Sequence, residues 1–464
     1  MKGQSLLLAL AALPASLAHT VWTDFYVDGV GQGDAVAIRM RKDPKTASFP
    51  VEDLSSNDMA CNVDGEKGVS LVSTVSDGAM LTFEMRSYPN DPSMQPLDRG
   101  HKGPCAVYLK KVDSAIDDPG YGDGWFKILD YGYNKDDDQW CTDKLIDNKG
   151  LLSVALPKGL KGGYYLARPE VLALHNALKG DPQFYTGCAQ IFIESTGDLV
   201  PESTVSIPGY VKAGEESVSY DIYNDDNSKY PVPGPAVAKL SSSSSAAGTQ
   251  LKAQMTQNEG FKPKDAICEN GDWFGFEVPS YSDEAGCWAS GEDCWTQGKA
   301  CYNDSPVTGN DPCQTWQDKC QAINDACNAK NFNGPPNKGK NLIPEAKTID
   351  IGLVLPTSGG GVDSTPNTAA DVKSSAPAAP QSSAPAYTSA GSEDGGFVLA
   401  SSTPTAYATT PASSQAAPAP TEKPSCPESY YCVTSTTTVV KTEVVYTTVY
   451  KDTSRQGLHE RRRR

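Results

Sequence analysis

Met80-Leu81-Thr82-Phe83-Glu84-Met85-Arg86 decides the fold class. Leu81, Phe83 and Met85 fall on one side of an extended chain, and Thr82, Glu84 and Arg86 on the other. That is the period of two of a strand with one face toward a core. The pattern recurs on both sides of this stretch: Val36, Ile38 and Met40 before it, then Val107 and Leu109, then Ala189, Ile191 and Ile193. Turn-forming clusters separate the runs at Asp28-Gly29, Tyr88-Pro89-Asn90-Asp91, Asp118-Pro119-Gly120, Asp147-Asn148-Lys149-Gly150 and Lys161-Gly162-Gly163. Many short alternating strands predict a mainly β protein, with a β-sandwich over residues 19–238. Residues 170–178 are expected to form a short helix or a loop.

The chain has 464 residues, too many for one ordinary core. Residues 1–18 carry Lys2, an apolar run over 6–13, and small Ser16 and Ala18 where a signal peptidase reads. This predicts a signal peptide, because the apolar run is too short to span a bilayer. A secreted, extracellular protein is expected. The net charge of −17 and a pI near 4.7 argue against a nucleic-acid partner. Thirteen cysteines in a secreted chain point to disulfides. The odd number leaves at least one unpaired in the expected monomer.

Val232-Pro233-Gly234-Pro235 closes the first region, and a Ser-rich linker is expected at 239–250. Residues 251–345 hold seven cysteines and four of the seven tryptophans, Trp273, Trp288, Trp295 and Trp316. Cys287, Cys294 and Cys301 are spaced by seven, and so are Cys313, Cys320 and Cys327. Seven residues is close to two helical turns, so each trio marks one helix face. The spacing predicts two antiparallel helices joined by Cys287–Cys327, Cys294–Cys320 and Cys301–Cys313, with Cys268 left over. Gly291 weakens the first helix. The tryptophans are expected to fill this small stapled core rather than to bind carbohydrate. Asn303-Asp304-Ser305 is an N-glycosylation acceptor in the loop between the helices. Residues 346–425, rich in Ser, Thr, Ala and Pro, predict a disordered, O-glycosylated stalk. The tail, 426–464, holds Cys426 and Cys432 at a spacing that suits a local disulfide, then a β-prone stretch over 435–450. It ends in four arginines, without the apolar tail that a lipid anchor needs.

Four histidines occur: His19, His101, His175 and His459. If the chain is cut after Ala18, His19 offers a free amine and an imidazole from one residue. The amine has a reference pKa of about 7.7–8.0, low enough to yield to a metal. A second imidazole from His101 would make three nitrogen donors, a set that favours Cu(II). Taken alone, His19 is a histidine that follows a cleavage site, and His101 is a loop histidine beside Lys102.

The surrounding words are more specific. They are His19-Thr20-Val21-Trp22 with Tyr26-Val27-Asp28-Gly29; His101-Lys102-Gly103-Pro104 with Val107-Tyr108; Gly124-Trp125-Phe126-Lys127-Ile128; and His175 with Gln183-Phe184-Tyr185 and Cys188-Ala189-Gln190-Ile191. Together with Ile207-Pro208-Gly209-Tyr210 and Tyr230-Pro231-Val232-Pro233-Gly234-Pro235, this ordered set resembles the fungal lytic polysaccharide monooxygenases of auxiliary activity family 9. The resemblance covers residues 19–235 and none of 251–464. It implies an immunoglobulin-like β-sandwich and a histidine brace in which His19 and His101 hold one copper ion. Tyr185 would be the axial neighbour, and His175 and Gln183 would stand behind the ligands, where such groups tune a metal. It also implies Cys61–Cys188, which leaves Cys105 and Cys141 to pair. The activity implied is oxidative cleavage of a β-1,4-glucan, cellulose first, at C1 or C4, with an external reductant and O2 or H2O2. Tyr210 is the candidate sugar-stacking residue. Trp22 and Tyr220 are weaker ones, better read as core.

Two other readings compete. A copper-binding cell-surface protein could carry the brace and cleave nothing. A hydrolase would need a pair of carboxylates, and with 57 acidic residues pairs are inevitable and say little.

Overall fold

The computed structural model describes residues 19–243, 255–352, 354–355, 430–438 and 444–452. The signal-peptide stretch, most of the stalk, Cys426 and His459 lie outside the described residues.

The alternating runs form a two-sheet sandwich. One sheet has the order Leu151–Ala155, Met80–Arg86, Val21–Val27, Val30–Gly31. The larger runs Val205–Ile207, Gly122–Tyr131, Cys105–Lys111, Lys161–Ala173, Cys188–Thr196, Ile38–Arg39, with Gln183–Thr186 and Ser73–Ser76 added at its sides. Leu81, Phe83 and Met85 meet Val107, Leu109, Ala189, Ile191 and Ile193 in one buried cluster. Apolar area removed from water at about 25 cal/mol per Å² is the main force holding the sheets together.

The opposite face of Met80–Arg86 is also buried. Thr82 Oγ1 shares a hydrogen bond with Ser153 Oγ at 2.8 Å. Tyr26 donates to Glu84, and Arg86 bridges Glu84 at 2.6 Å and Asp34 at 2.7 Å. A polar network therefore covers a face that strict alternation would leave to water.

Three expectations are corrected. The short helix or loop expected over 170–178 begins only after Ala173: Glu170–Ala173 end the long strand Lys161–Ala173, whose pairing with Gln183–Thr186 and Cys105–Lys111 overrides local propensity, and a loop with a one-turn helix at Ala177–Lys179 follows. The linker does not begin at 239, because Leu240–Ser242 pairs with Leu199–Pro201. The stalk does not begin at 346. Gly31 N donates to Lys347 O and Ile349 N to Gly29 O, so the chain adds itself to the edge of the smaller sheet. Ser153 Oγ donates to Ile351 O, and Leu355 enters the sandwich core. An unpaired sheet edge needs such a cover.

Residues 284–303 and 311–328 form the two helices, Glu284–Asn303 and Asp311–Asn328. Three disulfides join them: Cys287–Cys327, Cys294–Cys320 and Cys301–Cys313. Gly291 has a structural reason, since a Cβ there would lie 2.9 Å from Asn324 Oδ1 on the partner helix. Cys268 is buried and free, its thiol pushed up to about 11 by burial. A hairpin, Ala266–Asn270 with Trp273–Phe276, packs under the helices; Trp273 meets Trp316 edge to face at 5.5 Å. Asp272 accepts from Ser70 N and Oγ, Val72 N donates to Gly260 O, and Glu259 Oε1 accepts from Ala115 N. The cysteine-rich region thus packs against the sandwich within one compact unit. In the tail, Tyr430–Thr438 and Val444–Asp452 pair as an antiparallel hairpin. No helix among the described residues is long and apolar enough to cross a membrane.

Candidate active site

His19 lies two residues before the first residue of the Val21–Val27 strand. Thr20 anchors it: its N–H donates to Ser48 O at 2.8 Å, and its hydroxyl bonds Pro96 O and Arg86 O. Phe49, beside Ser48, stacks on the His19 ring with centroids 4.7 Å apart.

His101 sits on the loop before Cys105–Lys111. Its N–H donates to Asp98 O, and Gly103 N donates to Thr142 Oγ1. The Cys105–Cys141 disulfide pins the loop at its far side. Leu174 N donates to Lys102 O at 2.9 Å, and Leu172 N to Pro104 O. This lays the His101 loop along the end of the Lys161–Ala173 strand, so the His101 and His175 rings come within 4.2 Å.

Gln183 and Tyr185 share one face of their short strand, two residues apart. Tyr185 OH donates to Gln183 Oε1 at 2.9 Å, and Gln183 Nε2 donates to Asp181. Trp22 Nε1 donates to Tyr185 O, tying this strand to the one that follows His19. The Tyr185 ring lies 6.2 Å from that of His101.

Burial pushes all three imidazoles toward the neutral form. For His101 desolvation comes first and His175 second, with a final value of about 4. His19 and His175 are lowered by desolvation, partly offset by Asp181. Burial raises the Tyr185 phenol, so it stays protonated. Neutral imidazole is the form that binds a metal.

The fit to a metal rests on unmet polar atoms. Both ring nitrogens of His101, and Nδ1 of His175, are buried without a hydrogen bond of ordinary geometry. Such atoms cost roughly 1–3 kcal/mol each unless something pairs with them. Among the described residues, no three His, Cys, Asp or Glu side chains cluster to hold a metal.

Against Auxiliary Activity family 9 (formerly GH61), residues 19–230 match. An AA9 family lytic polysaccharide monooxygenase C of Aspergillus tamarii is 48% identical over 349 residues, covering 74% of this chain and 94% of that protein. The chain belongs to auxiliary activity family 9. A second AA9 monooxygenase, H of Botryotinia fuckeliana, is 47% identical over 297 residues, 62% of this chain and 68% of that one. Among solved structures, CvAA9A is 33% identical, covering 47% of this chain and 97% of its own, with a TM-score of 0.44. Family 9 members are oxidative, polysaccharide-cleaving monooxygenases.

The family 9 sandwich brings His19, His101, His175, Gln183 and Tyr185 into one neighbourhood. Tyr210, the candidate sugar-stacking residue, is partly buried, with its hydroxyl and one ring face engaged by neighbours. Arg168 Cζ sits 5.6 Å from the centre of the Tyr210 ring, Tyr108 meets that ring edge to face, and the hydroxyl bonds Glu170. The ion pair that holds it, Arg168 with Glu170, is itself buried. Trp22 is fully buried, and Tyr220 nearly so. Asp181 and Phe49 had no signal of their own in the sequence. The position of Asp181 two before Gln183 could have suggested the contact. Leu54, Leu178, Asp181, Val211 and Val218 are among the residues that line a groove of about 740 Å³.

Proposed function

We propose that this protein is a secreted, copper-dependent lytic polysaccharide monooxygenase that cleaves β-1,4-glucan chains, cellulose first, by oxidation at C1 or C4. The observation that supports it most directly is the buried His101 ring, whose two nitrogens lack a hydrogen bond of ordinary geometry, beside His175 and near His19.

After removal of residues 1–18, His19 would offer its amine and ring, and His101 its ring, to one copper ion. Copper, when bound, supplies the one-electron chemistry that lets O2 or H2O2, with an external reductant, oxidise a sugar C–H bond. Phe49 fixes the plane of the His19 ring by stacking. The Lys102–Leu174 backbone bond fixes the His101 loop. Tyr185 keeps its proton and donates its O–H as a hydrogen bond to Gln183 Oε1, which leaves the Gln183 NH2 donating to Asp181. Gln183 and His175 can then hold a proton or a polar oxygen beside the ligands without becoming ligands themselves.

The test is mass spectrometry of products from cellulose incubated with mature, copper-loaded protein and a reductant. Oxidised oligosaccharides are expected, and His101→Ala should abolish them. Copper binding without such products would favour the cell-surface copper protein. Unoxidised sugars released without copper would favour a hydrolase. A form starting at Met1, whose His19 nitrogen is an amide, should lose tight copper binding and activity together.

A further inference from the structure

The four tryptophans of the cysteine-rich region divide into two kinds. Trp316 and Trp273 are core, at 0% and 6% exposure. Trp288 is 43% exposed, and Trp295 is only partly covered. Both lie on the Glu284–Asn303 helix, each one residue after a cysteine, and Tyr302 repeats the position after Cys301 at 39% exposure. The run is Cys-Trp, Cys-Trp, Cys-Tyr at a spacing of seven.

The disulfides fix where this row faces. Each cysteine points at the partner helix, and the next residue is turned about 100° round the axis, onto the flank. Successive members drift by only about 20° per seven residues, so the three rings form one stripe. At 1.5 Å rise per residue they stand about 10.5 Å apart along the helix. The stripe borders amide side chains of the partner helix. Tyr302 OH donates to Gln317 Oε1 at 3.0 Å, and Asn324 Oδ1 closes on Gly291. Exposed aromatics are costly in water and mark a contact surface when they are grouped. A three-disulfide staple holds these at constant spacing.

We propose that Trp288, Trp295 and Tyr302 form a binding stripe for one β-1,4-linked glucan chain lying along the helix. A β-1,4 chain turns over at each linkage, so it presents the same apolar ring face every second sugar. Two sugars in that chain span about the same length as seven helical residues, so each aromatic ring meets an equivalent sugar face. The neighbouring amides supply hydrogen-bond partners for the equatorial hydroxyls at its sides. The cysteine-rich region would then hold the polymer while the distant histidines act. Only the class of polymer rests on the function proposed above.

The test is a binding isotherm of the full mature chain on microcrystalline cellulose, without reductant, so that no cleavage enters. Trp288→Ala with Trp295→Ala should weaken binding on the order of ten-fold, the loss expected for truncated aromatic anchors. Trp288→Phe with Trp295→Phe should restore most of it, which a merely misfolded region would not. An insoluble β-1,3-glucan, whose chain lacks the two-sugar repeat, should show no such dependence. Unchanged cellulose binding by the alanine variant, or equal losses on both polymers, overturns the stripe. The Trp288→Ala, Trp295→Ala variant should keep the copper-induced rise in Tm while it loses cellulose binding, so the two proposals can fail separately.

Discussion

Leu174 N donates to Lys102 O at 2.9 Å, and this bond joins the loop that carries His101 to the segment that carries His175. The two rings owe their 4.2 Å approach to a backbone contact, not to any attraction between them. Burial lowers the pKa of both, and His175 lowers that of His101 further.

Gly103 lies inside that junction. A Cβ there would fall 1.8 Å from Leu172 O, a backbone atom that cannot swing away. Gly103→Ala should cost roughly 1–3 kcal/mol, the usual range for overpacking. It should also reduce the rise in Tm that copper gives the mature protein. Chemical denaturation measures the first and thermal melts with and without copper the second, and an unchanged copper-induced shift would show that the loops are not coupled in this way.

Asp24 gives a pH signature. Burial, then Asp34 and Glu84, raise its carboxyl to about 7, although Oδ1 accepts from Phe25 N and Gly33 N. A raised folded pKa means that the native state holds a proton which the unfolded chain has released. This contribution is therefore favourable at low pH and is lost as pH climbs from the ordinary carboxyl value to about 7. Asp24→Asn keeps an oxygen for both N–H groups and removes the charge. Its Tm should exceed that of the wild type at pH 8 and approach it at pH 5. Equal shifts at both pH values would remove Asp24 from the account.

Leu355 tests the strap. It is 7% exposed in the sandwich core, far along the chain from every other member of that cluster. Leu355→Ala should cost roughly 2–3 kcal/mol, near the lower end for a buried leucine. Ending the chain at residue 345 should cost more, since the cover on Gly29 and Gly31 is lost too. Urea melts of both forms decide it; a truncated form as stable as the full chain would show that the strap adds nothing.

Removing the central staple with Cys294→Ala and Cys320→Ala should cost about 2–5 kcal/mol in the cysteine-rich region. Trp316 Nε1 donates to Cys294 O inside that core, so its fluorescence reports the loss. A melt that coincides with the wild type would mean that the aromatic packing alone carries the region.

The sequence by itself determined the local periods. Alternation at Leu81, Phe83 and Met85 named the core side of a strand, because side chains on an extended chain alternate whatever surrounds them. Seven-residue cysteine spacing named the two helices, because a helix face repeats almost at that interval. The words around His19, His101 and Tyr185 named the neighbourhood of the site. The tertiary structure alone decided which faces were covered twice. Thr82, Glu84 and Arg86 are buried because Ser153, Tyr26 and Asp34 complete a polar network around them. Tyr210 is spent on Arg168 and Glu170, and Trp288 is left in water while Trp316 is enclosed. Those outcomes depend on which distant segment arrives, and contacts across such separations leave no periodic trace in the chain.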